Sequence, residues 1–351
     1  MSRDPARPVN RRGFLRALAC SAATTQVKPS GAACLEANAI RWIVPSPPGG
    51  GYDSYSRLLE PYLERELGLR VHIDNVVGAG GLRGASTLSE APPDGSTLGI
   101  VNMPAILMAG ITDPELQPTR KFSTLGTIAK SSYVWATGAS SEIRSIEDVA
   151  VVSRKRGLVF GVSSFSSLGF LVSAIASSML GWRTHFVSGY SGSADRALAA
   201  TRGDVDLVAL SWEVLIDRVR AGDLRPSLAI AGDVAQTHPE LRGVPALDGP
   251  DGLIARQAPA AADDAEALIR FMQAGRVIVS PPGLEPDLER CLGDAVCRAI
   301  SDTHLATAGV GRNLRIQPVC AAETRQRIRA ARVDVQRLEQ LASKVLAQTR
   351  K

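Results

Sequence analysis

Two short glycine loops are the residues whose types and spacing could do chemistry. Pro48-Gly49-Gly50-Gly51-Tyr52-Asp53 follows an apolar run at 40–44, and Gly78-Ala79-Gly80-Gly81 follows a second run at 71–74. Glycine removes side chains, so unpaired backbone N–H groups can face a ligand, and a helix that starts at such a loop adds a dipole favouring negative charge. Either run alone reads as an ordinary turn. In tandem they make a receptor for a small anion, and the chemistry is capture rather than bond breaking. No C-x-x-C pair or histidine cluster suggests a metal, and nothing calls for a cofactor.

The elements that must position these loops follow from periodicity. After the first loop, Tyr55, Leu58, Leu59, Tyr62 and Leu63 recur at helical spacing behind Asp53, which reads as an N-cap, and Gly68 ends the helix. A strand at 71–74, the second loop, a small-residue helix at 83–91, the turn Pro92-Pro93-Asp94-Gly95 and a strand at 97–101 complete β-α-β-α-β. That order implies a parallel sheet with right-handed crossovers, whose strand ends and following helix N-termini share one rim. The plan repeats further on. A strand at 158–162 opens into Ser163-Ser164-Phe165-Ser166-Ser167-Leu168-Gly169 and an apolar helix, and a strand at 185–187 opens into a loop ending at Ser193-Ala194-Asp195 before an alanine-rich helix. Gly203-Asp204-Val205-Asp206 then leads into a strand at 207–210. Ser145 reads as the cap of another helix.

The remaining segments frame this repeat. Residues 122–136 are apolar and β-favouring and lead into the second half, while 243–265 lack a period and read as a loop. A strand at 276–279, a helix at 286–300 and an amphipathic helix at 322–346, with Ile328, Val335, Leu338 and Val345 on one face, close the chain. Cys291 and Cys297 are six apart on one helix, too far along its axis to bridge. Either could meet Cys320, but buried free thiols are the commoner state on an apolar helix face.

Charge and leader bound the setting. Of the net charge of +5 in 351 residues, +4 lies in residues 1–39. The remainder shows no cluster of Lys and Arg with aromatics, so a nucleic-acid surface is not expected. Asn10-Arg11-Arg12-Gly13-Phe14-Leu15-Arg16 ahead of a short apolar run reads as a twin-arginine export signal, with Ala37-Asn38-Ala39 as a cleavage site. A disordered basic tail is the alternative reading of that segment. The expected location is therefore periplasmic. Enzyme readings fare worse. A dinucleotide site needs G-x-G-x-x-G directly after a strand, whereas Pro45-Ser46-Pro47-Pro48 intervenes before Gly49. A serine hydrolase elbow lacks its second glycine at Gly189-Tyr190-Ser191-Gly192. Paired carboxylates stay open as an alternative, although Asp53 and Asp195 read as caps.

Three ordered motifs, Pro45 to Asp53, Val77-Gly78-Ala79-Gly80-Gly81 and Ala91-Pro92-Pro93-Asp94-Gly95, resemble the PxPPGGGxD, PGAGG and APxDG words of the extracytoplasmic solute receptors of tripartite tricarboxylate transporters, the Bug or TctC-like family. Looser counterparts stand at 161–167, 190–194 and 203–206. Tyr52 and Val77 depart from the family's usual Thr or Ser and Pro. The resemblance implies an α/β fold of two-lobed periplasmic-binding-protein (Venus flytrap) architecture, with mostly parallel sheets and flanking helices. It places lobe 1 at 40–122 plus about 245–320, lobe 2 at 123–244, and the last helix, 321–351, across both. It further implies that a monomeric receptor captures a small organic acid and delivers it to a permease of one large and one small integral subunit. An orphan receptor serving a sensor, or an α/β enzyme acting on a small acid, are the alternatives. In this reading Pro48, Gly49, Gly50, Gly51, Tyr52 and Asp53, with Ala79, Gly80 and Gly81, hold one carboxylate through backbone amides and ordered water. Ser163, Ser164, Ser166 and Ser193 meet the other side, a plain helix cap being the alternative for Ser193 as for Ser167. Tyr52 stacks on the ligand or walls it off, Asp53 caps its helix or accepts from a ligand hydroxyl or amine, and Trp212 lines the cleft or fills the core.

Overall fold

The computed structural model describes Met1, Leu35, residues 37–112 and residues 121–349. The twin-arginine leader expected within 1–39 lies almost wholly outside the described residues, as do Cys20 and Cys34. Among the described residues no helix is long and apolar enough to cross a membrane.

The first half runs β1 (Ala39–Val44), α1 (Gly51–Leu67), β2 (Arg70–Asn75), α2 (Leu82–Ser89), β3 (Thr97–Asn102), α3 (Met103–Thr112) and β4 (Ser123–Ala129). The second runs β5 (Tyr133–Gly138), α4 (Ile146–Lys155), β6 (Leu158–Gly161), α5 (Leu168–Met179), β7 (Thr184–Val187), α6 (Ser193–Arg202), β8 (Leu207–Ser211), α7 (Trp212–Arg220), β9 (Leu224–Ala229) and α8 (Gly232–Thr237). The chain closes with α9 (Leu253–Gln257), α10 (Ala262–Gln273), β10 (Arg276–Ser280), α11 (Pro286–Ile300), α12 (Thr303–Val310), β11 (Val319–Cys320) and α13 (Ala321–Thr349).

Two sheets result, ordered β11-β4-β10-β3-β1-β2 and β7-β6-β8-β5-β9. In each, the first strand of the repeat sits between the other two, β1 between β2 and β3 and β6 between β7 and β8, all parallel. The remaining pairs are antiparallel, so the sheets are mixed rather than mostly parallel. The reason is the crossing of the chain between sheets, which brings β10 and β5 in from the opposite end. That crossing also falls later than expected. Strand β4 pairs within the first sheet, so the passage occurs between Ala129 and Tyr133 rather than at residue 123.

Alternation along each strand explains the layers. Ile40, Trp42 and Val44 of β1 enter one core with Tyr55, Leu58 and Leu59 of α1, while Ile43 faces a second core with Leu82, Ala85 and Leu88 of α2. Helices α1 and α2 therefore cover opposite faces, which makes the gap between β1 and β3 a topological switch point. The second sheet does the same. Val208 and Leu210 join the core under α6, whereas Leu207 and Ala209 join the one under α5. That latter core is shared, because it takes Ile43, Val101 and Val277 from the first sheet and Trp135 and Phe160 from the second.

Helix α13 buries Ile328, Ala331, Val335, Leu338, Ala342 and Val345 in this shared core, touching β4 and α3 as well as α5 and α10. The stretch 243–265, expected as a loop, carries α9 and the start of α10, whose Leu268, Phe271 and Met272 are buried. Its alanines form helix once α5 and α13 supply an apolar surface. Cys297 and Cys320 are joined by a disulfide with Cα atoms 5.1 Å apart, against the expectation of free thiols, and Cys291 is not a free thiol either. Helix α11 lies directly on β11, a proximity invisible in a separation of 23 residues.

Candidate functional site

The loops after β1, β2, β6 and β7, together with the β8–α7 junction, converge on a cleft of about 340 Å³ between the two sheets. Each loop holds its shape for a local reason. In the first, Gly49 has φ 76°, and Gly50 donates to the Pro47 carbonyl at 3.0 Å. Asp53 is not the cap expected: α1 starts at Gly51 with Gly50 before it, and Asp53 sits buried in the first turn. Its Oδ2 accepts from Gly49 N at 2.8 Å and Arg57 Nε at 2.9 Å, and its Oδ1 accepts from Asn75 Nδ2 at 2.9 Å. Burial alone would raise its pKa, but these donors outweigh burial and hold it below the usual carboxylate range. Asp53 thus fastens the loop from within.

The second loop is bent by four successive positive φ angles: 141° at Gly78, 48° at Ala79, 67° at Gly80 and 103° at Gly81. Such turns point consecutive N–H groups into one concavity suited to an anion, and a left-handed alanine is a conformation that needs holding in place. The hold comes from the opposite sheet. A Cβ on Gly80 would lie 2.5 Å from Ser164 Oγ and 3.1 Å from Ser167 Cα, so only glycine lets the loops touch. Ser166 Oγ donates to the Ala79 carbonyl at 3.3 Å and shares a 3.0 Å hydrogen bond with Ser164 Oγ. Ser167 caps α5, accepting from Phe170 N at 3.3 Å.

Of the residues expected in the site, Gly50, Gly51, Tyr52, Ala79, Gly80, Gly81, Ser163 and Ser193 line the cleft. Pro48 and Gly49 are exposed outside it, because the turn directs them to solvent. Ser164 and Ser166 are engaged where the two loops meet. Trp212, 2% exposed, packs in the core beneath α6 and against the His238 ring, so of its two readings the core one applies. The backbone at Ser211 turns straight into α7, which sends the next side chain inward.

Charged residues missed in the sequence dominate the cleft. Arg276 opens β10 and is 2% exposed. Its Nη2 pairs with Glu213 of α7, its Nη1 donates to the Lys130 carbonyl at 2.6 Å, and its Nε has no partner among the described residues. The guanidinium lies over the Tyr52 and Tyr55 rings, 5.4 and 4.9 Å from their centroids. Burial would lower its pKa, but Glu213 and the tyrosines raise it further, while burial drives the Tyr52 hydroxyl far above its ordinary value. Arg196 of α6, 7% exposed, also lines the cleft, and burial lowers its pKa. Tyr133, its hydroxyl pushed up by burial, and Asn102 complete this floor. The available signal was an arginine opening a wholly apolar strand and another inside an alanine helix, positions where a buried cation needs a purpose.

The sequence model of the tripartite tricarboxylate transporter family receptor matches residues 56–265. A relative from Pseudomonas sp. strain P51, named for the tcbD-tcbE intergenic region, is 27% identical over 70% of this chain and 73% of its own length. Among solved structures, Rpa4515 of R. palustris with adipate superposes with a TM-score of 0.70 at 20% identity, covering 87% of this chain and 97% of that one. MatC (Rpa3494) from Rhodopseudomonas palustris with bound malate gives 0.66 at 18% identity, covering 87% and 98%. These likenesses establish the two-lobed periplasmic-binding-protein fold.

Proposed function

The chain belongs to the tripartite tricarboxylate transporter receptor family, and from that premise we propose that it is a periplasmic receptor that captures a small carboxylate-bearing solute between its two lobes. The observation carrying this reading is that helix N-termini of both sheets, α1 and α2 on one side and α5 and α6 on the other, meet at one cleft whose surplus charge is positive. Arg276 is balanced by Glu213, and among the described residues no carboxylate balances Arg196. Backbone amides and helix dipoles there favour an anion.

In this reading Gly51, Ala79 and Gly80 present amides to one carboxylate, the Gly50 and Gly81 amides holding the turns instead, Ser163 and Ser193 meet the solute from the facing lobe, and Tyr52 walls the cleft. The leader exports the protein by a twin-arginine signal, and the monomer hands its solute to a permease of a large and a small integral subunit. Adipate and malate, held by similar structures, are the first acids to try. The passage between Ala129 and Tyr133 is where a hinge would bend. Calorimetric titration and thermal shift with mono-, di- and tricarboxylates test the reading. A binding acid at 100 times its Kd raises stability by about 2.7 kcal/mol. No shift with any acid overturns it. Co-purification with the two permease subunits tests delivery.

A further inference from the structure

Two arginines face the cleft, and their circumstances differ. Arg276 is neutralised by Glu213 and covered by tyrosine rings. Arg196 gives Nη1 to the Ala209 carbonyl at 3.1 Å, Nε to the Gly192 carbonyl at 3.4 Å and Nη2 to Ser193 Oγ at 3.2 Å, all neutral acceptors. A guanidinium carries five N–H groups, so one remains on each Nη nitrogen. Among the described residues no carboxylate pairs with it, although it is 7% exposed. Arginine does not shed its proton in a protein, and a buried cation without a counter-charge is costly. The three neutral bonds fix the plane of the fork without spending its charge, which is how a carboxylate receptor is held ready for two parallel N–H···O bonds.

Across the cleft the Gly78–Gly81 turn offers amides, and α2 behind it has no acidic residue in its first turn. The two anion-receptive places thus come from different lobes. The cleft, about 340 Å³, has room for a small organic acid.

Resting on the receptor reading above, we propose that Arg196 is the specificity-determining residue of the cleft and that the solute is a short dianion bridging the lobes. One carboxylate lies on the glycine loops of the first lobe, and the second takes the two free N–H groups of Arg196. The Arg276–Glu213 pair leaves no charge for a third. The cleft therefore selects diacids over both mono- and triacids.

The test titrates the full chain with succinate, glutarate and adipate, each beside its mono-methyl ester, and with citrate. The fitting diacid should bind at least 30-fold more tightly than its ester, which removes one charge at constant length, and more tightly than citrate. Arg196→Gln should weaken the diacid at least 30-fold while changing the ester less than threefold, and Arg196→Lys should restore part of the gap. An ester binding as well as its diacid overturns the proposal without any variant, as does citrate binding tightest. Equal weakening of diacid and ester in Arg196→Gln overturns the role of Arg196. If no carboxylate binds at all, the receptor reading itself falls.

Discussion

The two walls of the cleft recognise in different ways. The wall from the first sheet is backbone: glycine loops bent by positive φ angles, with Asp53 turned inward to fasten them. The wall from the second sheet is side chain: Ser163 in the loop before α5, and Ser193 and the Arg196 fork in the first turn of α6. Amides accept any carboxylate, whereas a guanidinium held in one plane accepts only a group that reaches it. The comparison teaches that generality resides on one side of this site and discrimination on the other.

The floor joining the walls should give the largest effect. Glu213→Ala leaves Arg276 buried with no counter-charge, so stability should fall by about 3–5 kcal/mol, read as an earlier denaturation midpoint. Equal stability would mean that the lobes are not joined through this pair. Next comes the backbone wall. Gly80→Val places a β-branched side chain at φ 67° against the Ser167 backbone, so a stability loss of about 1–2 kcal/mol and a loss of acid binding beyond detection by calorimetry are expected. Retained affinity would make the side-chain wall sufficient alone.

Asp53→Asn probes what holds that wall. Because the folded carboxyl titrates below its ordinary value, its contribution is complete above the unfolded pKa of about 3.9 and is lost as pH falls through the folded value. The variant should be less stable at pH 7 by about 1.5–3 kcal/mol, the worth of hydrogen bonds to a charged group, and the gap should close on acidification below that value. A gap independent of pH would deny the charge its role. The smallest effect belongs to Ser166→Ala, which removes one exposed hydrogen bond between the loops, worth about 0.5–1.5 kcal/mol. Affinity should fall severalfold at most.

Glycine loops, capped helices and the amphipathic face of α13 were legible because each depends on neighbours within a few residues. Gly49, Gly78, Gly80 and Gly81 announce a bent backbone by type alone, and Ser145 announces a helix cap. The repeated β-α-β-α-β order likewise foretells two switch points, since parallel strands joined by helices have few arrangements. Pro48 and Gly49 carried the same signal as Gly50, yet they face solvent, because position along a turn rather than residue type sets direction.

The amino-acid sequence by itself determined that this protein has paired anion-receptive loops, the kind of elements that carry them and the family to which it is similar. Only the tertiary structure decided the rest: that β4 belongs to the first sheet, that Trp212 is core, that Cys297 meets Cys320, and that Glu213 reaches Arg276 across 63 residues while no acid among the described residues reaches Arg196. Backbone conformation is governed by local sterics, which residue types encode. The pairing of a buried charge is governed by which distant elements pack around it, and no spacing along the chain records that.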